Sequence, residues 1–394
     1  MQLQHGAHLG YCTNIHRGES WAEVFHYLKT DTLRVKQRVA PQDRFGIGLR
    51  LSAQAAAELS TAHHLTEFRQ WLDQENGYVF TINGFPYGSF HGTRVKEKVF
   101  QPDWTQSSRL EYTLQLFELL AVLTPSGQSG SVSTLPASHK TFGIDRQGLD
   151  QIFKNLQICS HLIEALSEQY GVDLHLGLEP EPLGLFETTG ETLKFFALYM
   201  DEYPQHRHFF KTIGVNYDTC HLALQYEQAH TSLSRLLDSG IRISKIHLSN
   251  ALKVKPTRES LEHLKLYDEP VYFHQVIAYD GEHLPLKRYL DLPQALSQAT
   301  LVETEAELGQ EWRIHFHIPL HAQPQAPFAN TQDHVCDTID WLVQHPLACS
   351  HLEMETYTWA VLPEVLKKTD VVDQLEAEYQ WTLAQLQQKN FNPM

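Results

Sequence analysis

Cysteine is scarce in this sequence, and spacing pairs none of it. Cys12, Cys159, Cys220, Cys336 and Cys349 stand far apart without a C-x-x-C, which argues against a disulfide framework and fits reduced core thiols. Long apolar runs are missing as well. The most apolar helix-like stretch, Leu114 to Leu123, is short and interrupted by Gln115 and Glu118, so no membrane-embedded helix is expected. The opening M-Q-L-Q-H-G-A-H-L-G has no cationic start followed by an apolar stretch, and an unprocessed cytoplasmic chain is expected. Positive charge is in deficit: a formal net charge of −16 argues against nucleic acid or an anionic membrane as the main partner. No G-x-G-x-x-G follows the first strand-like run, which counts against a doubly wound dinucleotide fold. No repeat, low-complexity tract or Pro/Gly/Ser linker divides the 394 residues, so residues 1–394 are expected to form a single domain.

What is present is an alternation of short strand-like and longer helix-like runs. Strands are expected near Gly10 to Asn14, Phe45 to Leu51, Tyr78 to Gly84, Gly130 to Leu135, Leu174 to Glu179, Thr212 to Asp218, Ile243 to His247 and His351 to Glu355. Between them, Leu59, Ala62, Leu65, Phe68 and Leu72, and later Leu149, Ile152, Leu156 and Ile163, repeat at helical spacing. Eight such units are expected to close into an α/β (β/α)8 TIM barrel. Glu179 to Asp218 is 39 residues and Asp218 to His247 is 29, close to the ~30 or more of one βαβ unit. His247 to Glu355 spans 108, so an insertion of about 60 to 70 residues must follow the seventh strand. It is expected over about residues 251–320 as a lid or rim subdomain, because it leaves the barrel at the end where such folds carry their chemistry.

Four of the strand-like runs end on ionisable residues: L-E-P-E-P at Glu179, N-Y-D-T-C-H at Asp218, K-I-H-L-S-N at His247 and L-E-M-E-T-Y at Glu355. Carboxyl ends of parallel strands share one rim, so three carboxylates and an imidazole could converge there as ligands of manganese, magnesium, iron, cobalt or zinc. Glu179 and Glu355 would then serve as a proton-transfer pair on a small polyhydroxylated or cyclised metabolite, which is isomerase or epimerase chemistry. His221, three residues after Asp218, is placed to meet a substrate hydroxyl, and Glu181 to act beside Glu179. Lys245, two residues before His247, should point to the same side of an extended strand and could anchor substrate. The plainer reading of any one of these residues is structural. With 24 histidines in the chain, a lone strand-end His says little, and Glu-Pro can simply mark a turn.

Other residues carry weaker signals. His315, His317 and His321 lie in R-I-H-F-H-I-P-L-H, where alternation puts the first two on one strand face as a second metal site or a substrate contact. The alternative is an exposed edge strand. The loop from Asn83 to Gly92 carries Phe85, Tyr87, Phe90 and His91, which could cover the barrel mouth, while its glycines serve turns. Arg50, in an otherwise apolar strand, needs a partner, either an anionic ligand or a structural carboxylate. Lys96 and Lys98 with Trp104 could contact an acidic ligand or form a solvated hairpin face.

The E-P, D-x-x-H, H and E at the fifth to eighth strand ends resemble the xylose-isomerase-like TIM barrels, a superfamily of sugar isomerases, epimerases and endonuclease-IV-like phosphoesterases. That resemblance implies Glu179, Asp218, His247 and Glu355 as metal ligands and His221 near substrate. The D-T-C-H string is similar to the endonuclease-IV group, yet T-I-N-G-F-P and S-V-S-T-L-P at the third and fourth strands lack its metal-binding histidines. These absences count against a trinuclear zinc site and phosphodiester hydrolysis; a phosphoesterase stays the weaker alternative and would need a second metal near His315 or His317, and a non-catalytic barrel that binds and hands over a metabolite or partner is the other. Over most of the chain, Y-C-T-N-I-H-R-G-E-S-W, F-G-I-G-L-R-L-S, N-G-F-P-Y-G-S-F-H-G, V-K-E-K-V-F-Q-P-D-W and H-F-H-I-P-L resemble the EboE family of metabolite traffic proteins. This implies a bacterial gene cluster concerned with moving a metabolite precursor out of the cytoplasm, with other Ebo-cluster proteins as partners.

Overall fold

The computed structural model describes residues 1–91, 96–281, 287–362, 367 and 370–394; Gly92, read above as a turn glycine, lies outside them, as do residues 282–286 of the insertion. Thirteen strands are found among the described residues, and eight of them form a parallel barrel. These are β1 (His8–Tyr11), β2 (Phe45–Arg50), β3 (Gly77–Asn83), β4 (Ser129–Thr134), β5 (Asp173–Leu178), β6 (Ile213–Asp218), β7 (Ile243–Leu248) and β13 (His351–Met354). Neighbours run in the order β1, β13, β7, β6, β5, β4, β3, β2, and a parallel bridge from Cys12 to Gly48 closes the ring.

Side-chain alternation explains both surfaces of the ring. On β5, Leu174, Leu176 and Leu178 alternate with His175, Gly177 and the following Glu179. On β13, Leu352 and Met354 alternate with His351, Glu353 and Glu355. The aliphatic set packs under the helices. The helix Arg146–Tyr170 buries Ile152, Phe153, Leu156 and Ile163, each contributing roughly 1.5–3 kcal/mol. Asp145 caps its start by accepting from the Gly148 N–H at 2.8 Å, and Gly171, at φ +64°, ends it in the left-handed region that other residues avoid. The opposite set leaves the barrel interior unusually polar, so every group there must find a partner or a ligand.

The insertion follows β7 directly. Its strands β8 (Asn250–Val254), β9 (Val276–Tyr279), β10 (Lys287–Tyr289), β11 (Glu311–Ile318) and β12 (Phe328–Asn330) form an antiparallel sheet in the order β10, β9, β11, β8, β12. It has an apolar core of its own, built on Leu252, Leu292, Trp312, Ile314 and Phe316. No helix among the described residues is long and apolar enough to cross a membrane.

Three local expectations need correction. The first strand lies at His8–Tyr11 and gives way to a 3-10 turn at Thr13–Ile15, so Asn14 sits on a turn above the strand. The exposed-edge reading of His315 and His317 fails because β11 pairs on both sides, with β8 and β9. Lys96 begins a 3-10 turn, Lys96–Phe100, and is buried against Asp291 of the insertion, so of the two readings offered for Lys96 and Lys98 the solvated hairpin face fails for Lys96, while Lys98 is exposed.

The closing seam imposes a constraint on one glycine. A Cβ on Gly48 would stand 1.8 Å from Glu353 Oε1 and 2.7 Å from the Tyr11 carbonyl oxygen, because the Glu353 side chain reaches past β1 to this spot on β2. Overpacking of this kind usually costs about 1–3 kcal/mol, and Glu353 is held too firmly to yield. Gly48→Ala is expected to lower stability by at least about 3 kcal/mol, read as a shift of the urea midpoint; an unchanged midpoint would show that the seam is looser than this.

Candidate metal centre

Four strand ends bring their polar side chains to one point. Glu179 follows β5, Asp218 ends β6, His247 lies in β7 and Glu355 follows β13, and their ligand-capable atoms all lie within 4.8 Å of one another. His247 Nδ1 is 3.2 Å from Glu179 Oε1, 3.5 Å from Asp218 Oδ2 and 3.2 Å from Glu355 Oε2. An imidazole nitrogen facing three carboxylates at these distances is set to share either a proton or a cation with them.

Three of the four, Asp218, Glu355 and His247, are fixed by partners on their far side. Asp218 caps the short helix Thr219–Leu224: Oδ1 accepts from the N–H groups of Cys220 (2.7 Å) and His221 (3.1 Å) and from the Ser249 hydroxyl (2.6 Å). Its other oxygen, Oδ2, is buried with no hydrogen-bond partner. Glu355 Oε1 accepts from the side-chain amides of Asn14 (2.7 Å) and Asn83 (3.2 Å), leaving Oε2 toward His247. His247 Nε2–H donates to Glu353 Oε2 at 2.8 Å, and the same oxygen accepts from Lys245 Nζ at 2.7 Å. A carboxylate behind a histidine fixes the ring and raises the basicity of its other nitrogen, as in many metal sites.

The orphaned Asp218 Oδ2, the hard oxygen donors and the oriented imidazole together fit a divalent cation. The electrostatics agree. Burial opposes ionisation of Glu353, but Lys245 and His247 outweigh it and hold this carboxyl down to about 2. Burial would likewise neutralise His221, yet Asp218, Glu181, Glu179 and Glu355 push it up to about 9. Burial and neighbouring carboxylates, countered in part by His221, raise Glu181 well above the ordinary range. Burial opposes ionisation of Asp218, yet His221, His247 and His317 outweigh it and hold this carboxyl well below its ordinary range, so the anion at the centre is stabilised by positive charge around it.

Above the cluster lies a pocket of about 610 Å³, its open mouth included. Glu179, Glu181, His221 and Glu355 contribute to its lining, while Asp218 and His247 are sealed beneath at 0% exposure. Phe85 and Phe90 from the loop after β3, Tyr272 and Phe273 from the insertion, and Tyr357 after β13 supply aromatic walls. The roof is tied together where the Tyr272 hydroxyl meets His91 Nδ1 at 2.8 Å and where Lys96 pairs with Asp291.

The structure thus brings Glu179, Asp218, His247 and Glu355 together, with His221, Glu181, His315 and Phe85 around the same pocket. His317 packs behind His315, with ring centroids 5.4 Å apart. Other candidates stand elsewhere. Lys245 is fully buried against Glu353 and absent from the lining, so it supports His247 from below and has no path to a substrate. Arg50 donates to the carbonyls of Gly18 and Gly88, both at 2.7 Å, and pairs with Glu19, clamping two rim loops. Tyr87 packs edge-on against Tyr112 at 5.1 Å, away from the pocket. Glu353, Asn14 and Asn83 were not picked from the sequence. Glu353 carried a usable signal, since it precedes Glu355 by two residues as Lys245 precedes His247; the asparagines carried none.

No protein-family model matches the chain, and no curated protein matches it in sequence. Solved structures match it in fold. An L-ribulose 3-epimerase superposes with a TM-score of 0.50 at 13% identity, covering 99% of this chain and 96% of its own. A xylose isomerase domain protein from Planctomyces limnophilus gives 0.47 at 10%, over 88% and 89%. The IOLI protein, solved with a zinc atom, gives 0.49 at 12%, over 97% and 99%. What the chain shares with the L-ribulose 3-epimerase at this identity is the fold, an eight-stranded parallel (β/α)8 barrel.

Replacing Glu353 by glutamine keeps the shape but removes the charge that orients His247. Glu353→Gln is expected to weaken binding of manganese or zinc by about 10- to 100-fold, measured by titration calorimetry on chelator-stripped protein. Unchanged affinity would mean that His247 is not a ligand.

Proposed function

We propose that the chain is a cytoplasmic, divalent-metal-dependent isomerase or epimerase that moves a proton between carbons of a small polyhydroxylated or cyclised metabolite. One observation carries this reading: of the four clustered residues, Asp218 and His247 are sealed below the floor, whereas Glu179 and Glu355 belong to the pocket lining. When bound by these four residues, a divalent cation supplies Lewis-acid polarisation of a carbonyl or hydroxyl pair. Of the four clustered residues, Glu179 and Glu355 are the carboxylates that face the substrate space, one to take a proton and one to return it. Asn14 and Asn83 hold Glu355 in a single orientation for that task. His221 and Glu181 offer hydrogen bonds to substrate hydroxyls from the same floor.

The walls bear on the substrate. Phe85, Phe90, Phe100, Tyr272 and Phe273 exclude water and present faces to the apolar side of a sugar or cyclitol ring. Lys96 is the one Lys or Arg of the lining among the described residues, and Asp291 already engages it. A neutral polyol therefore suits the pocket better than a phosphate ester. The sequence resemblance to the EboE family supports placing this metabolite in the traffic of an Ebo cluster, with other Ebo-cluster proteins as partners.

Metal-loaded protein in deuterium oxide, given neutral ketoses, aldoses and cyclitols, is expected to place deuterium on a carbon beside the carbonyl. Glu355→Gln should slow that exchange by about 100- to 10,000-fold. Metabolite binding that survives chelation, without any exchange of carbon-bound hydrogen, would instead show a barrel that binds and hands over its ligand.

A further inference from the structure

We infer that the inserted sheet carries a second ligand pocket, apart from the barrel mouth, for an uncharged and mainly apolar small molecule bearing a hydroxyl or carbonyl oxygen. The space holds about 1270 Å³, its open mouth included. Its lining comes from Leu252 of β8, Ile318 of β11, Phe328 of β12, the loop joining β11 to β12, and Gln374 of the last helix, Val371–Gln388. No residue is shared with the pocket above the metal centre. His321, the last histidine of R-I-H-F-H-I-P-L-H, belongs here, while His315 lines the barrel mouth. The site is therefore independent of the proton-transfer reading.

Charge complementarity sets the ligand class. Among the described residues, the lining holds no Asp, Glu, Lys or Arg, so an ionised group would shed its water there and gain no counter-charge. Burial holds the His321 ring below its usual range, which keeps it neutral at pH 7. Tyr267 and Phe328 offer aromatic surface, their rings edge-on with centroids 5.3 Å apart, and Leu266 stands 63% exposed at the mouth. The loop wall is preformed. Pro319, Pro324 and Pro327 restrict its backbone, and the Ala322 carbonyl accepts from the side-chain amides of Asn330 (2.7 Å) and Gln332 (3.2 Å). A ligand entering such a pocket has little protein to order.

Two polar atoms of the lining side chains lack a partner. Gln374 is only 5% exposed, and its Nε2 is buried without a hydrogen bond, as is His321 Nδ1. The Glu378 carboxyl, one turn along the helix, feels the Gln374 amide without bonding to it; its Oε1 accepts instead from the Thr356 hydroxyl (2.6 Å) and the Leu320 N–H (2.9 Å). Native interiors rarely leave such groups unsatisfied. The terminal torsion of an amide side chain is soft, so an oxygen of the ligand can draw the Gln374 amide into a hydrogen bond. Apolar walls with a few polar groups at one end are the usual make-up of a small-molecule site.

The probe that tests this is the neutral ketone para-bromoacetophenone, soaked into crystals of the full chain, located by bromine anomalous scattering, and titrated in solution by calorimetry. Two controls accompany it: para-bromoethylbenzene, which lacks the oxygen, and para-bromobenzoate, which carries a charge. The expected result is a bromine peak beside Tyr267 and Phe328, affinity for the ketone about 3- to 10-fold above that for the hydrocarbon, and no binding of the benzoate. Gln374→Leu should erase the ketone's advantage and leave the hydrocarbon unaffected. Phe328→Ala, a change at a half-buried position that tests the site even if Gln374→Leu fails to fold, should weaken both. Equal affinity for ketone and benzoate, a ketone advantage that survives Gln374→Leu, or a peak in soaked crystals without binding in solution would each overturn the site. A second copy of the chain filling the space in the crystal, with no probe bound in solution, would overturn it as well.

Discussion

Inside the barrel, one oxygen of Glu353 is shared between the Lys245 ammonium and the His247 ring, and the rest of the site is arranged around that contact. All three side chains are fully buried. Removing one partner of such a set leaves an uncompensated charge, at a cost of about 3–5 kcal/mol. An apolar replacement of the whole set would often be neutral for stability, so its value here lies in holding the His247 ring. The fold makes room for it: Gly48 on β2, one strand removed from β13, is bare because Glu353 occupies the space where a side chain would be.

From that anchor the site builds upward in charge and outward in polarity. Asp218, Glu179 and Glu355 surround the remaining nitrogen of His247, and backbone amides, Ser249 and two asparagines take up the carboxylate oxygens on the far side. Anions set this close favour a cation among them more strongly than any surface cluster would, because little water remains to screen them. Above the cluster the lining turns aromatic, and three separate excursions from the barrel supply it: the β3 loop, the insertion and the segment after β13. The barrel thus positions the polar groups, while the loops leaving its rim shape what can reach them.

The ring of strands was legible because alternation and spacing are local signals, and the four polar strand ends converge by the geometry of parallel strands alone. The partnership between Lys245 and Glu353 was not. Both face inward by the same alternation, but their meeting depends on β13 lying beside β7 with Glu353 level with His247, a register no single strand announces. Arg50 showed its need for a partner, yet the carbonyls of Gly18 and Gly88 that satisfy it come from distant loops. Asn14 and Asn83 are neutral and common in turns, so nothing in their type marked them as the groups that orient Glu355. The place of β11 at the centre of the inserted sheet was equally hidden, since antiparallel strand order over residues 250–330 is set by packing between segments far apart in the chain.

The most direct test of a cation held by these four residues is anomalous scattering from crystals of the chain soaked in manganese, recorded at a wavelength where manganese scatters strongly. A peak among His247 Nδ1, Glu179, Asp218 and Glu355, absent from Asp218→Ala crystals, is the expected result. No peak at that position, with imidazole and carboxylates bonded only to one another, would contradict the metal centre and the proton-transfer function built on it.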